Sequence, residues 1–197
     1  MEGLDRILPS GGLPRGRLSV WMPGLGGSAV LRGTCFQAVQ RGERAAWVDG
    51  IGRVAVGARW DGVALARPKS GQQALQCTEE LLRSGGFAVV VRVGEGSRGE
   101  ERARLCRAAR EGGSALVELS PDPYMAAVRI STRASPESFR WRWNELGEPL
   151  TVESVVLRVQ VTAAGWSRES DVVLVVTNHE HSLSVDSGLA DRRGVSR

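Results

Sequence analysis

The sequence predicts an α/β fold, in which a mainly parallel central sheet is flanked by helices and followed by C-terminal antiparallel β-hairpins. In the first half of the 197-residue chain, short runs rich in Val, Leu and Ile alternate with longer segments of helical spacing. This alternation is typical of strand–helix units around a parallel sheet. Residues 87–93 are almost continuously apolar, as a central strand buried on both faces should be. After residue 121 the pattern changes to strands separated by turns, without helical spacing.

The first strand is predicted at residues 18–22, and a Gly-rich turn then leads to a helix over about 27–41. Leu31, Cys35 and Val39 recur every four residues, which places them on one buried face of this helix. The second and third strands are predicted at 45–48 and 62–66.

Two capping boxes are predicted for the next two helices. Ser70 is followed three residues later by Gln73, and Ser97 by Glu100, so each serine is expected to accept a hydrogen bond at the start of its helix. The second of these helices should run to about residue 111 and lead to a strand at 115–119. Helical spacing directs the acidic pairs at 79–80 and 100–101 toward solvent.

The remaining chain is expected to form antiparallel hairpins and then a tail. Residues 178–197 are polar and have no periodic apolar face, so we expect a single domain over 1–177 and a flexible tail over 178–197. The strands of the hairpins are predicted at 126–133, 138–143, 154–162 and 171–177.

Composition excludes several classes of protein. No apolar stretch approaches the length of a membrane span, and no signal peptide is recognisable, so we expect a cytoplasmic protein that does not contact membranes. The three cysteines lack CxxC spacing, which argues against a disulfide framework and a zinc site. The net charge of +4 is modest and spread along the chain. Of the 26 basic residues only Lys69 is a lysine, so any chemistry that needs a lysine depends on that residue.

No hydrolytic or metal site is predicted. The only two histidines, His179 and His181, lie in the polar tail, where an isolated pair rarely binds a metal. Serine or cysteine catalysis therefore has no base.

The most suggestive positive feature is the strand Phe-Arg-Trp-Arg-Trp at 139–143. Strand periodicity places Trp141 and Trp143 on one face and Arg140 and Arg142 on the other. Aromatic and guanidinium groups together suit an interaction surface or nucleic-acid stacking. The favoured interpretation is that the aromatic side chains cover the core while the arginines face water, and even then the arginine face could contact a partner.

The first half of the chain resembles the RecA-like ATPases. The resemblance rests on Leu-Asp at 4–5, Gly-Gly-Leu-Pro at 11–14, Val-Asp at 48–49, Ser-Gly-Gln-Gln-Ala-Leu at 70–75 and Arg-Ser-Gly at 83–85. It covers residues 4 to about 93 well, and beyond them only the element order and the terminal hairpins agree. The resemblance implies a RecA-like core.

The phosphate-binding loop of that family is degenerate here. A working P-loop needs a glycine, four residues and then Gly-Lys-Ser/Thr. The corresponding residues 22–29 read Met-Pro-Gly-Leu-Gly-Gly-Ser-Ala: Met22 replaces the first glycine, Ser28 the lysine and Ala29 the hydroxyl residue. Gly24 and Gly27 remain, and with Gly26 they could still form an anion-binding nest at a helix N-terminus. The favoured interpretation is that they only preserve a tight turn.

Two further parts of the ATPase mechanism are missing. Ile51 stands where the family's water-activating glutamate would be, two residues after Asp49, and the aspartate expected near Arg92 or Val93 is absent. We therefore expect no enzymatic activity and no cofactor. Residual ATPase or kinase-like activity is the alternative, and measurable nucleotide binding would support it.

Two families of degenerate RecA-like proteins are similar to this chain. ImuA-type proteins act in bacterial translesion mutagenesis within the SOS response, and the run at 138–142 resembles their aromatic-basic strand. This resemblance implies a DNA-repair adaptor that binds RecA, an ImuB-like polymerase paralogue, or both. SulA-type inhibitors of the division protein FtsZ are the alternative. Weak DNA binding stays open, although the short connection at 120–124 contains Asp122 and no arginine. Filament formation by this chain alone is not expected, because it begins almost at the RecA core.

Overall fold

The computed structural model describes residues 6–8, 11–52 and 60–175. These residues form one mixed β-sheet with α-helices on both faces. The helices are α1 (Gly27–Gln40), α2 (Gly71–Arg83) and α3 (Gly99–Glu111). The strands are β1 (Leu18–Trp21), β2 (Ala45–Asp49), β3 (Val63–Ala66), β4 (Val89–Val93), β5 (Ala115–Leu119), β6 (Val128–Arg133), β7 (Phe139–Trp143), β8 (Pro149–Ala163) and β9 (Trp166–Val175).

The strand order confirms the predicted fold class. Strands follow the order β3-β2-β4-β5-β1-β6-β8-β7, and β9 pairs with β8. All pairs from β3 to β6 are parallel, whereas β8 is antiparallel to β6, β7 and β9. The predicted strands and helices of the first half all form, with ends that differ by a few residues.

One prediction about the C-terminal half holds for one edge of its strand only. Residues 126–133 were expected in an antiparallel hairpin. Strand β6 is antiparallel to β8, but on its other edge it runs parallel to β1, with Ser19 opposite Val128 and Trp21 opposite Ile130. The chain crosses from β5 to β6 over residues 120–127, and no helix forms there. Alternation of apolar and polar residues specifies a strand but not its direction, because both pairings use the same period of two.

Two apolar cores lie on opposite faces of the sheet. Trp21, Trp47 and Val91 pack in the core beneath α1. Val20, Val90 and Leu116 pack on the other face, against residues of α2 and α3. The two cores draw alternate residues from the same strands, and this explains why the central strands read as continuous apolar runs.

The two predicted capping boxes have different outcomes. At α2, the Ser70 hydroxyl accepts the hydrogen bond of the Gln73 N–H at 3.2 Å, as expected. At α3, the expected cap by Ser97 is wrong, because the N-cap residue is Arg98 and its N–H bonds Glu101 Oε2 at 3.3 Å. The Ser97 side chain is buried and donates instead to Glu118.

The acidic residue Glu79 was expected to face solvent, and this is also wrong. Helices α2 and α3 lie side by side, so Glu79 is only 6% exposed. It accepts a hydrogen bond from Arg104 of α3 and forms an ion pair with Arg83 at 2.9 Å. The Glu79 carboxylate can be buried because two arginines balance its charge.

Cys35 and Cys106 are buried and Cys77 is half-buried, and all three are free thiols. Burial raises the pKa of the Cys35 thiol to about 12, so this group is neutral and acts as a small apolar side chain.

Among the described residues, no helix is both long and apolar enough to cross a membrane. The predicted domain boundary at 177 and the predicted tail at 178–197 lie outside the described residues.

Candidate functional site

The Gly-rich loop at 22–26 connects β1 to α1 at the carboxyl edge of the parallel strands, and the predicted order of strand, turn and helix is confirmed here. Met22 packs against the core on the α2–α3 face, and the Ser28 side chain is exposed at the start of α1. The N-cap residue of α1 is Gly26, which has φ +71° and provides no side-chain cap. The loop therefore contributes only backbone N–H groups and one serine hydroxyl to this edge.

The three glycines of the loop are required by close packing. A Cβ on Gly24 would lie 2.6 Å from the Thr132 carbonyl oxygen, and one on Gly26 would lie 2.4 Å from Leu157 Cδ1. A Cβ on Gly27 would lie 2.8 Å from Trp21 Nε1. The loop thus rests directly on β1, β6 and β8. This packing gives the glycines a structural role that needs no phosphate.

Lys69 lies too far away to replace the missing P-loop lysine. It stands before α2 in the connection that follows β3, where its N–H bonds Gln73 Oε1 at 3.0 Å. Strands β3 and β1 are four positions apart in the sheet, a separation of about 19 Å at the usual strand spacing. A lysine side chain does not span that distance.

The ends of β2 and β4 carry the other two positions expected for ATPase chemistry. Asp49 is buried at the end of β2, and Ile51 lies just beyond it with 43% of its surface exposed. At the end of β4, Arg92 is 4% exposed. Strand β5 places Glu118 directly opposite Arg92.

Arg92 and Glu118 belong to a buried cluster of charges between the sheet and α3. Arg92 Nη1 donates to Glu118 Oε1 at 3.1 Å, and Arg102 Nη2 donates to Glu118 Oε2 at 3.0 Å. Glu118 and Arg102 are 1% and 0% exposed. Both carboxylate oxygens are therefore bonded to arginine, and this compensates for the loss of hydration.

Sequence reasoning did not find this cluster, although a signal was present. Arg92 and Glu118 are the only charged residues of two adjacent strands that are otherwise apolar. Opposite charges in neighbouring buried strands indicate that the two side chains pair, because an unpaired buried charge is too costly.

Arg102 also holds the crossover between β5 and β6. Its Nη1 donates to the Tyr124 carbonyl oxygen, and its Nη2 donates to the Asp122 carbonyl oxygen at 3.3 Å. The crossover presents Tyr124 and Met125 to solvent, 62% and 48% exposed. Met125 has φ +59°, a conformation that is uncommon for a residue other than glycine.

The aromatic strand β7 differs from the favoured interpretation. Phe139 packs against the core on the α1 face, but Trp141 and Trp143 are 43% and 58% exposed. The Trp141 ring stacks on Phe139 with centroids 6.4 Å apart. Only the first aromatic residue thus covers the core. The exposure of Arg140 and Arg142 agrees with the prediction.

The tryptophans are exposed because the β7–β8 hairpin projects beyond the rest of the sheet. Strand β6 ends with Arg133 opposite Arg158, whereas β7 continues along the same edge of β8 to Trp143 opposite Pro149. Strand β9 pairs with β8 as far as Ser154, and from Ser154 to Pro149 a strand rises about 17 Å. The core ends before this overhang does.

The overhang carries several exposed apolar side chains. Leu146 in its turn and Leu150 at the start of β8 are 83% and 57% exposed. Arg142 Nε bonds Glu153 Oε1 at 3.1 Å across the hairpin. We call the exposed side chains of Arg140, Trp141, Arg142, Trp143, Leu146 and Leu150 the hairpin surface.

Metal binding was not predicted, and within the described ranges no three His, Cys, Asp or Glu side chains group together. His179, His181 and the motif residues Leu4 and Asp5 lie outside the described residues.

Comparison with known proteins gives sequence similarity over part of the chain. RecA of Clostridioides difficile (strain 630) is 34% identical over 97 residues, which cover 45% of this chain and 28% of that RecA. RecA of Thermus thermophilus is 36% identical over 96 residues, with 45% and 28% covered. The match thus spans less than a third of the curated relatives' length. No protein-family model matches the chain.

Structural similarity extends over most of the chain. The crystal structure of the RadB recombinase aligns with a TM-score of 0.59 and 13% sequence identity, covering 89% of this chain and 94% of RadB. At this identity the alignment establishes the fold alone. The protein therefore has a RecA-like fold, and over 45% of its length its sequence is similar to that of RecA proteins.

Proposed function

We propose that this protein is a non-catalytic RecA-like adaptor of the bacterial SOS response. It binds RecA, an ImuB-like polymerase paralogue, or both, and so promotes damage-induced mutagenesis by translesion synthesis. The observation that carries the proposal is the hairpin surface, which presents two exposed tryptophans. This surface lies at the carboxyl edge of a fold whose phosphate loop lacks both the lysine and the hydroxyl residue.

The chemistry of the hairpin surface favours a protein partner. Tryptophan and arginine are the residues that most often dominate the binding energy of protein interfaces. A tryptophan side chain has only two rotatable torsions, so little conformational entropy is lost when Trp141 and Trp143 are covered. Arg140 and Arg142 project from the other face of the hairpin and add positive charge next to such an interface.

The phosphate loop supports binding without turnover. A nucleotide would meet no ammonium group in the loop, because Ser28 occupies the lysine position and Lys69 is remote. Ala29 provides no hydroxyl for magnesium. The glycines that remain are accounted for by their packing on Thr132 and Leu157.

The test is a binding titration without nucleotide against RecA, the ImuB-like protein and FtsZ from the source organism. We expect binding to RecA or the ImuB-like protein and none to FtsZ. The double variant Trp141→Ser/Trp143→Ser should weaken binding by at least about thirtyfold, which corresponds to the roughly 2 kcal/mol of one interface hot spot.

Tyr124→Ser is the matched control, because Tyr124 is equally exposed but lies on the β5–β6 crossover. Its affinity should stay within about twofold of the unchanged protein. Binding to FtsZ alone would replace the adaptor by a SulA-type division inhibitor. Equal weakening by both variants would show that the hairpin surface is not the interface.

A further inference from the structure

Strand β9 forms one end of the sheet, and its outer edge is unpaired among the described residues. It pairs with β8 along its whole length, from Trp166 opposite Ala163 to Val175 opposite Ser154. The other edge of β9 therefore presents a row of backbone N–H and C=O groups to a further strand. The helices pack mainly over β2, β3, β4 and β5, so they leave the approach to this edge open.

The edges formed by β3 and β7 are protected against such pairing, but the edge of β9 is not. Strand β3 is only four residues long, and the pairing of β7 with β8 contains two register shifts. Short length and irregular pairing are devices by which natural sheets avoid edge-to-edge association. Strand β9 continues for ten residues without a register shift. Residues 172–175 include no charge and no proline.

This second half of β9 is apolar on both faces of the sheet. Val172 is buried in the core on the α1 face, and Leu174 packs against the same core. Val173 and Val175 point to the opposite face and are 61% and 63% exposed. A strand added beside β9 would cover these valines, and the burial of apolar surface favours such pairing.

A second copy of the strand complements this edge about a two-fold axis at Val173. An axis perpendicular to the sheet makes the two strands antiparallel and keeps every side chain on its own face. Val172 then lies opposite Leu174 of the second copy, and Val173 lies opposite its own copy. Asp171 lies opposite Val175 of the second copy, so no like charges face each other.

Charge excludes the registers nearer the start of β9. An axis at Arg168, Glu169 or Asp171 would place that residue opposite its own copy. An axis at Ser170 would place Glu169 opposite Asp171 of the second copy. Like charges directly opposite each other destabilise a pair of strands. The apolar half of β9 is therefore the part of the edge that fits a second copy.

The two neighbouring registers are less favourable than the one at Val173. An axis at Val172 would set both Glu169 and Asp171 against valines. An axis at Leu174 would overlap only residues 173–175 within the bounds of β9, whereas the axis at Val173 overlaps residues 171–175. More cross-strand pairs give more stabilisation.

We propose that β9 pairs with β9 of a second copy of this chain, antiparallel and centred on Val173, so that the two sheets continue across a two-fold axis. The overlap is short compared with a standard protein interface, and we therefore expect a weak dimer. The inference goes beyond the adaptor function and does not depend on it, because it uses neither the hairpin surface nor the phosphate loop.

The test is sedimentation velocity of the full chain from micromolar to millimolar concentration, where a reversible monomer–dimer equilibrium is expected. Val173→Lys places two ammonium groups opposite each other at the axis and should weaken the dimer by at least about tenfold. Leu146→Lys is the matched control, because it adds the same charge to an exposed aliphatic residue remote from β9. Its dimer affinity should stay within about twofold of the unchanged protein. A monomer at every concentration, or equal weakening by both variants, would overturn the proposal.

Two substitutions of Val175 test the register. Val175→Arg places a guanidinium group opposite Asp171 of the second copy, whereas Val175→Glu places a second carboxylate there. Both variants lose the same valine, so their difference reports the charge opposite residue 175. The arginine variant should dimerise about tenfold more tightly than the glutamate variant. Equal affinities, or the reverse order, would contradict the register centred on Val173.

Amide hydrogen exchange identifies what covers the edge. The outward-facing amides of residues 171–175 should exchange more slowly as the protein concentration rises through the dimer equilibrium, while the amides of β4 should not change. Full protection of the outward-facing amides in the dilute monomer would mean that another part of the same chain covers β9. That result would overturn the pairing with a second copy.

Discussion

Gly26 is the residue whose conformation ties the phosphate loop most closely to the sheet. It combines a φ of +71° with a hypothetical Cβ that would lie 2.4 Å from Leu157 Cδ1. A side chain at this position therefore meets both backbone strain and a steric clash.

Gly26→Ala should lower the free energy of unfolding by about 2–4 kcal/mol, the sum of a left-handed alanine and local overpacking. Gly42→Ala is the matched control, because Gly42 has φ +80° but nothing lies within 4 Å of its Cβ position. It should cost only about 1–2 kcal/mol. Chemical denaturation without nucleotide measures both. Equal costs would mean that packing on Leu157 does not constrain the loop.

The buried charge cluster gives a second prediction at the residue scale. Glu118→Gln leaves Arg92 and Arg102 without their shared carboxylate, so the free energy of unfolding should fall by about 3–5 kcal/mol. Glu111→Gln removes a carboxylate that bonds Arg83 at 3.2 Å with half of its side chain exposed, and should cost at most about 1 kcal/mol. If denaturation curves give the two variants similar stabilities, Glu118 is not essential to the cluster.

At the scale of elements, the β7–β8 hairpin differs from the rest of the sheet. Residues 149–153 of β8 pair only with β7 among the described strands, whereas residues 158–163 lie between β6 and β9. A two-stranded ribbon without a covered face is only marginally stable. Its order thus depends on the body of the sheet from which it projects.

Amide hydrogen exchange should separate these two parts of β8. We expect the amides of residues 150–153 to exchange at least about tenfold faster than those of 157–161, because local opening of the overhang exposes little apolar surface. Mass spectrometry of peptides from β8 provides the measurement, and peptides from β4 serve as a fully protected reference. Uniform protection along β8 would contradict the description of an unsupported overhang.

At the scale of the whole molecule, the RecA-like fold persists although the loop has lost its lysine and hydroxyl. Packing accounts for this persistence, since the loop glycines contact β6 and β8 and the apolar cores lie beneath the helices. Packing therefore accounts for the conformation of the loop whether or not a nucleotide binds there.

Millimolar Mg-ATP should leave the thermal unfolding midpoint unchanged within error. A ligand raises the midpoint only if it binds the folded state, and the loop offers no ammonium to the phosphates. Differential scanning fluorimetry measures this effect, with Mg-AMP as a control that lacks the outer phosphates. A rise of several degrees with Mg-ATP alone would revive the alternative of a residual ATPase.

The sequence by itself determined the succession of strands and helices along the first half of the chain. It also determined the positions of the degenerate loop and of the aromatic strand. These features are local: apolar period, glycine turns and the Ser70 cap are properties of neighbouring residues. The fold class followed from the alternation of these elements. Residue types alone also showed that no lysine stands in the loop.

Only the tertiary structure decided the direction of β6, the burial of Glu79 and Ser97, and the exposure of Trp141 and Trp143. Each depends on what lies opposite in space: β1 beside β6, α3 beside α2, Glu118 beneath Ser97, and no further core beneath the hairpin tip. A period of two residues places the tryptophans on one face of a strand. Whether that face is buried depends on where the sheet beneath it ends.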